Sequence, residues 1–179
     1  MAETPAAQVW SGRLTFLGLA AVILFAQLIP LDEIPSRWTG PDALLVLTLV
    51  FLVRRPDFVP FPMILAVFLL ADLLLQRPPG LYAACVCLLS EFLRKRARGL
   101  RAVPLAVEWG TVAIGVVALT MGYRIVLFFA MVPQSPLMLT IIQAGATILV
   151  YPLAAGLAHL FFGLTRPAPG QVDSFGHRL

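Results

Sequence analysis

Six apolar segments alternate with short polar ones along this chain: Leu14–Leu31, Pro41–Val53, Phe58–Leu75, Pro79–Leu93, Val103–Val132 and Leu137–Leu164. A straight helix rising about 1.5 Å per residue needs about 20 residues to cross a bilayer's hydrocarbon core. The second and fourth segments, at 13 and 15 residues, are short by that measure. They cross only by drawing in flanking residues, by snorkelling of Arg54 and Arg94, or by local bilayer thinning; otherwise they are re-entrant or buried hairpins. Both open with proline, in Gly40-Pro41-Asp42 and Pro78-Pro79-Gly80. Proline suits a first helical turn because its missing N–H has no intrahelical partner there. Asp42 then complements the positive end of the helix dipole. Trp38 and Tyr82 stand near the same boundaries, as interfacial aromatics do.

The basic residues decide the orientation. Arg13, Arg54, Arg55, Arg94, Lys95, Arg96, Arg98, Arg101, Arg166 and Arg178 fall on the side of the N-terminus when all six segments cross. Arg37 and Arg77 fall on the other side, and Arg124 lies inside the fifth segment. Ten against two is a strong positive-inside bias, which predicts two cytoplasmic termini and a cytoplasmic tail over residues 165–179. Removing one short span scrambles the bias, so the charges favour six spans: about 14–31, 41–53, 58–75, 79–93, 103–124 with an apolar extension to 132, and 137–164. The first is read as an uncleaved span, because Pro30-Leu31-Asp32-Glu33 offers no small-x-small cleavage site.

Composition excludes a soluble domain. Of 179 residues, 60% are hydrophobic and 12% charged, with a mean hydropathy of +0.92. Soluble domains run at about 45–50% apolar and about 25% charged. The chain is read as one all-α integral membrane domain. A net charge of +4 does not imply nucleic acid, since the cations sit in short runs between apolar stretches. Cys85 and Cys87 point about 200° apart on a helix and are read as packing residues.

Ionisable groups at membrane depth are the first candidates for chemistry. Glu91 and Glu108 lie near the cytoplasmic edge and are expected to meet water. Asp72 and Arg124 both fall near the opposite interface, where a charge costs less when paired. They form a candidate ion pair; the alternative is separate solvation, with Asp72 capping the Gln76–Gly80 turn. His159 is deeper and is read as satisfied by a neighbouring helix. No HExxH, GxSxG, Walker or dinucleotide motif is present, and no catalytic set, cofactor site or metal site is expected. Arg94, Lys95, Arg96, Arg98 and Arg101 form a patch that suits anionic lipid headgroups or an acidic partner, or serves as a topology signal. Finally, eight apolar residues, Ile125–Val132, follow Arg124. Ile125, Phe128, Phe129 and Val132 are a candidate partner surface; the alternative is a tilted helix buried against the other five.

The middle of the chain carries an ordered set of motifs: Trp38-Thr39-Gly40-Pro41-Asp42 followed by Leu44–Val53, Arg54-Arg55-Pro56 followed by Val59-Pro60, and Asp72-Leu73-Leu74 with Pro78, Gly80 and Leu81, ending in the Arg-rich tract at 94–101. Over these, about 75 residues, the chain resembles the rod shape-determining protein MreD family of bacterial inner-membrane proteins. In that family a glycine often lies between the positions of Asp72 and Pro78; here Leu75-Gln76-Arg77 stands there. The resemblance implies a non-enzymatic scaffold of the cell-elongation machinery. Its expected partners are an MreC-like periplasmic scaffold and, indirectly, the MreB filament and the RodA/transpeptidase peptidoglycan synthase. It also implies a six-helix fold similar to the substrate-binding subunits of energy-coupling-factor vitamin transporters. The rival reading is therefore a small-molecule, vitamin-like binding subunit of a transporter. Such a subunit needs polar and aromatic groups around an outward pocket, and the loops on that side offer only Asp32, Glu33, Arg37, Trp38, Arg77 and Gln134.

Overall fold

Among the described residues, each apolar segment contributes one helix. A computed structural model describes residues 5–29, 40–101 and 105–162, with the backbone alone at residues 5–6, 97–101, 105 and 161–162. Six helices follow one another: α1 (Pro5–Leu28), α2 (Ala43–Arg54), α3 (Phe61–Leu74), α4 (Leu81–Arg101), α5 (Leu105–Phe129) and α6 (Leu137–Phe162). A 3-10 turn, Pro56–Phe58, joins α2 to α3. No strand occurs among the described residues. Three helices contain stretches long and apolar enough to cross a membrane: Ala7–Leu28, Ala106–Phe129 and Leu137–Leu160.

Of the two short segments, the second stays short and the fourth does not: the 12 residues of α2 measure about 18 Å, whereas the 21 of α4 measure about 32 Å. It is the third segment that shortens, to the 14 residues of α3, about 21 Å. Two boundaries differ from the sequence reading. Helix α1 starts nine residues before Leu14, and α4 runs on through Arg101. The Arg-rich tract is thus the last turns of a helix rather than a loop. It holds no Gly-Pro break, and a cationic end suits the negative pole of the helix dipole. The side chains of Arg98 and Arg101, all of residues 30–39 and the tail from 163 onward lie outside what is described.

Helix α2 is the centre. It packs against α1, α4 and α6, while α4 also meets α3 and α5, and α5 meets α6. Nearly every side chain from Leu44 to Arg54 is buried, as expected of a helix apolar all round. Helices α2, α4, α5 and α6 therefore form a closed ring, with α1 and α3 outside it. Helix α1 comes close at Gly12, where a Cβ would stand 2.4 Å from the Phe58 ring. Large apolar side chains such as Val22, Phe25, Leu73, Ile114 and Leu153 cover the exterior; hydrocarbon is the medium that suits them.

At the basic end, polar groups close the structure. Arg94 Nη1 and Nη2 donate to the carbonyls of Pro56 (3.3 Å) and Val59 (2.6 Å), and Nε stands 3.2 Å from Glu91. Arg13 Nε donates to the Asp57 carbonyl. Glu108 differs from expectation: it does not reach for the edge but is fully buried, accepting from the Tyr151 hydroxyl at 2.8 Å. An inward partner on α6 offsets its desolvation, which helix arithmetic on α5 alone cannot reveal. Immediately after Tyr151, Pro152 sits inside α6 and has no N–H to give the carbonyl of Ile148, four residues back. Trp109 Nε1 donates to that carbonyl at 2.9 Å.

Candidate functional site

The end opposite Arg94 is built around two aspartates and two left-handed turns. Asp42 caps α2: Oδ1 accepts from the Leu45 N–H at 2.9 Å, satisfying one of the orphan donors of a helix start. Its Oδ2 accepts from the Tyr82 hydroxyl at 2.6 Å, and its own N–H donates to Thr147 Oγ1 at 3.0 Å. Asp72 is fully buried in the last turn of α3. Its Oδ2 accepts from the N–H groups of Gly80 and Ala83, both at 3.1 Å. It therefore caps α4, a neighbouring helix.

Helix α3 ends in a Schellman motif, with the Arg77 N–H bonded to the Asp72 carbonyl at 2.9 Å. The residue that must turn left-handed is Gln76, at φ 54°. The missing glycine does not loosen this turn, because Asp72 fixes the chain just beyond it. Helix α5 ends the same way. Met131 and Val132 donate to Phe128 and Leu127, both at 3.1 Å, with Met131 at φ 53°.

The expected pair between Asp72 and Arg124 is not formed. Arg124 Nη1 donates instead to Thr140 Oγ1 (2.6 Å) and to the Ser135 carbonyl (3.1 Å). Gln134 Nε2 returns a bond to the Arg124 carbonyl at 3.0 Å. Each charge satisfies its own turn: Asp72 sees two free N–H groups at the start of α4, and Arg124 sees acceptors on the α5–α6 turn.

A cavity of about 400 Å³ lies between these turns. Its origin is the shortness of α2. Thr147 lies ten residues beyond the start of α6, about 15 Å along the axis, yet it touches the first turn of α2. Helices α5 and α6 thus continue past the end of α2 and leave a space above it. Leu45, Val116 and Leu119 line its depth, and Arg77, Arg124 and Gln143 are among its polar walls. Tyr82 and Tyr123 meet edge-on at 5.2 Å, and the Arg77 guanidinium lies 4.9 Å over the Tyr82 ring. The expectation of a polar-poor pocket is corrected here, because the groups come from helices and not from loops. A signal was present: Thr140, Gln143, Thr147 and Tyr151 fall at helical spacing along one face of an otherwise apolar α6.

The remaining candidates divide. Ile125, Phe128 and Phe129 are exposed, the phenylalanines by 72% and 78% and stacked edge-on at 5.7 Å. Val132 is half-buried beside them and also lines the cavity. The bland alternative of a segment buried against the other helices does not describe them. Arg94 is used up in the turn described above, while Lys95 and Arg96 are exposed, Arg96 lying 4.6 Å over the Phe92 ring. His159 is exposed in the last turn of α6 and is not held between helices as expected. It lies 22 residues beyond the start of α6, about 33 Å from the turn carrying Ser135. Cys87 is buried and Cys85 half-buried, both free thiols.

Comparison with protein families, with curated proteins and with solved structures finds no match to this chain.

Proposed function

We propose that this chain is a non-enzymatic scaffold subunit of the bacterial cell-elongation machinery, crossing the inner membrane six times with both termini cytoplasmic. Its partner is an MreC-like periplasmic scaffold, and through it the MreB filament and the RodA/transpeptidase synthase. The observation that carries this reading is what the motif residues do. Asp42 caps α2, Asp72 caps α4, and Arg94 grips the Pro56–Val59 turn. Residues that carry the resemblance to the MreD family hold the fold in place, as suits a protein whose product is a surface. The exposed Phe128–Phe129 pair at the end of α5 supplies aromatic anchors for such a partner.

Affinity purification from native membranes tests the reading: elongation proteins co-elute with the wild type, and their absence overturns it. A double Phe128→Glu, Phe129→Glu variant that inserts normally loses the partner; a persistent complex moves the surface elsewhere. Reporter fusions after Gln76 and Pro133 report periplasm and those after Val53 and Leu179 cytoplasm. A periplasmic C-terminus rejects the topology. A second reading, a small-molecule binding subunit of a transporter, is favoured by the cavity above α2.

A further inference from the structure

We propose that the cavity above α2 binds a small water-borne organic anion, made of one acidic group (a carboxylate or phosphate ester) and a planar apolar body. This names a ligand class for the second reading and rests on it only in that the cavity takes up a solute; transport is not required.

Charge comes first. Two guanidinium groups, Arg77 and Arg124, and one carboxylate, Asp42, line the space. Both oxygens of Asp42 already accept, from the Leu45 N–H and the Tyr82 hydroxyl, so that carboxylate is internally satisfied. Arg124 uses Nη1 for Thr140 and Ser135, which leaves Nη2 and Nε as donors among the described residues. Arg77 makes its described contact with a ring face, that of Tyr82, and its fork of donors has no acceptor among the described residues. A guanidinium has five N–H groups in a planar fork that suits carboxylate or phosphate. The lining thus carries one positive charge in excess beside unused donors, while the fully buried Asp72 offsets part of the Arg77 charge from outside it.

The walls choose the rest of the ligand. Below the cations, Leu45, Val116 and Leu119 and the edge-on pair Tyr82 and Tyr123 form an apolar and aromatic bed. The lining is about half polar, so converging polar groups meet an apolar bed in a concave space, and about 400 Å³ lies in the range of small-molecule sites. Access chooses the source. The turn residues Gln76–Pro78 and Val132–Ser135 line the space, so it reaches the end of the bundle, where the chain turns at the water interface.

The full-length protein in nanodiscs of zwitterionic phosphatidylcholine provides the test, with melting temperature as the readout. Phenyl phosphate and benzoate raise it in a concentration-dependent manner, whereas inorganic phosphate and benzamide do not. Arg77→Gln abolishes the rise, and Ala144→Leu abolishes it by filling the cavity without altering charge. Lys95→Gln, in the exposed tract at the other end, keeps it. No rise with either probe, an undiminished rise in Arg77→Gln and Ala144→Leu, or an equal rise with inorganic phosphate overturns the proposal. Loss of the rise when phosphatidylglycerol is included in the nanodisc overturns the water-borne source and assigns the site to a lipid headgroup. Binding without cellular uptake defeats the transporter reading but leaves the site standing, and co-elution of elongation proteins is independent of both.

Discussion

The region from Asp42 to Arg94 and the α5–α6 hairpin satisfy their polar groups in different ways. In the first, two buried carboxylates cap helix starts, Asp42 at Leu45 and Asp72 at Gly80 and Ala83, and Tyr82 and Arg94 add distant ties to Asp42 and to the Pro56–Val59 turn. In the hairpin, the α5–α6 turn is held by Arg124 and Gln134 rather than by a carboxylate, and the facing helices by Glu108 with Tyr151 and Trp109 with Ile148. Each region also ends a helix with a non-glycine residue in the left-handed conformation, Gln76 in one and Met131 in the other. The first turn is locked by a buried carboxylate. The second projects, with Met131 92% exposed. The first region thus builds the floor of the cavity, and the hairpin builds much of its wall.

Substitutions at these ties test the contrast, and the largest effect belongs to the first region. Asp72→Ala removes both acceptor bonds at the start of α4 and leaves two N–H groups without a partner in an apolar setting. The expected loss is about 3 kcal/mol, given about 1.5–3 for each hydrogen bond to a charged group and incomplete additivity. Thermal unfolding in detergent micelles measures it, and a loss below that of any hairpin variant breaks the comparison.

Next comes Trp109→Phe, which deprives the Ile148 carbonyl of its donor and costs about 1–2 kcal/mol. Pro152→Ala restores an N–H to that carbonyl within α6. In a double-mutant cycle the second change therefore suppresses the first. Additive effects would mean that the indole bond does not compensate for the proline.

The smallest effects are gains. Gln76→Gly and Met131→Gly each remove left-handed strain of about 1–2 kcal/mol, offset by the greater chain entropy of glycine, for a net gain of about 0.5–1 kcal/mol. Met131→Gly leaves the cavity untouched, whereas Gln76 lines it. The two variants are thus expected to match in stability and to differ in binding of phenyl phosphate.

Hydropathy was enough to mark six helices, because an apolar run has few other ways to satisfy its backbone in a membrane. The caps were legible too. Proline followed by aspartate at a helix start, and aspartate near a turn, act within a few residues, and Asp72 takes the capping role rather than an ion pair with Arg124. Expectations failed where a partner had to come from another helix. Glu108 was read by its depth along α5, but Tyr151 draws it inward. His159 was assigned a neighbour that the packing does not bring to it.

The amino-acid sequence by itself determined the helices, their approximate ends, the clustering of positive charge and the local caps, since each depends on periodicity or on groups a few residues apart. Only the tertiary structure decided that the short α2 stands at the centre of the bundle with its first turn beside Thr147. That single offset creates the cavity and gathers Arg77, Tyr82, Tyr123 and Arg124 around it. The reason is geometric. Helix length is written in the sequence, whereas the relative height of two helices is set by which side chains interlock across their faces.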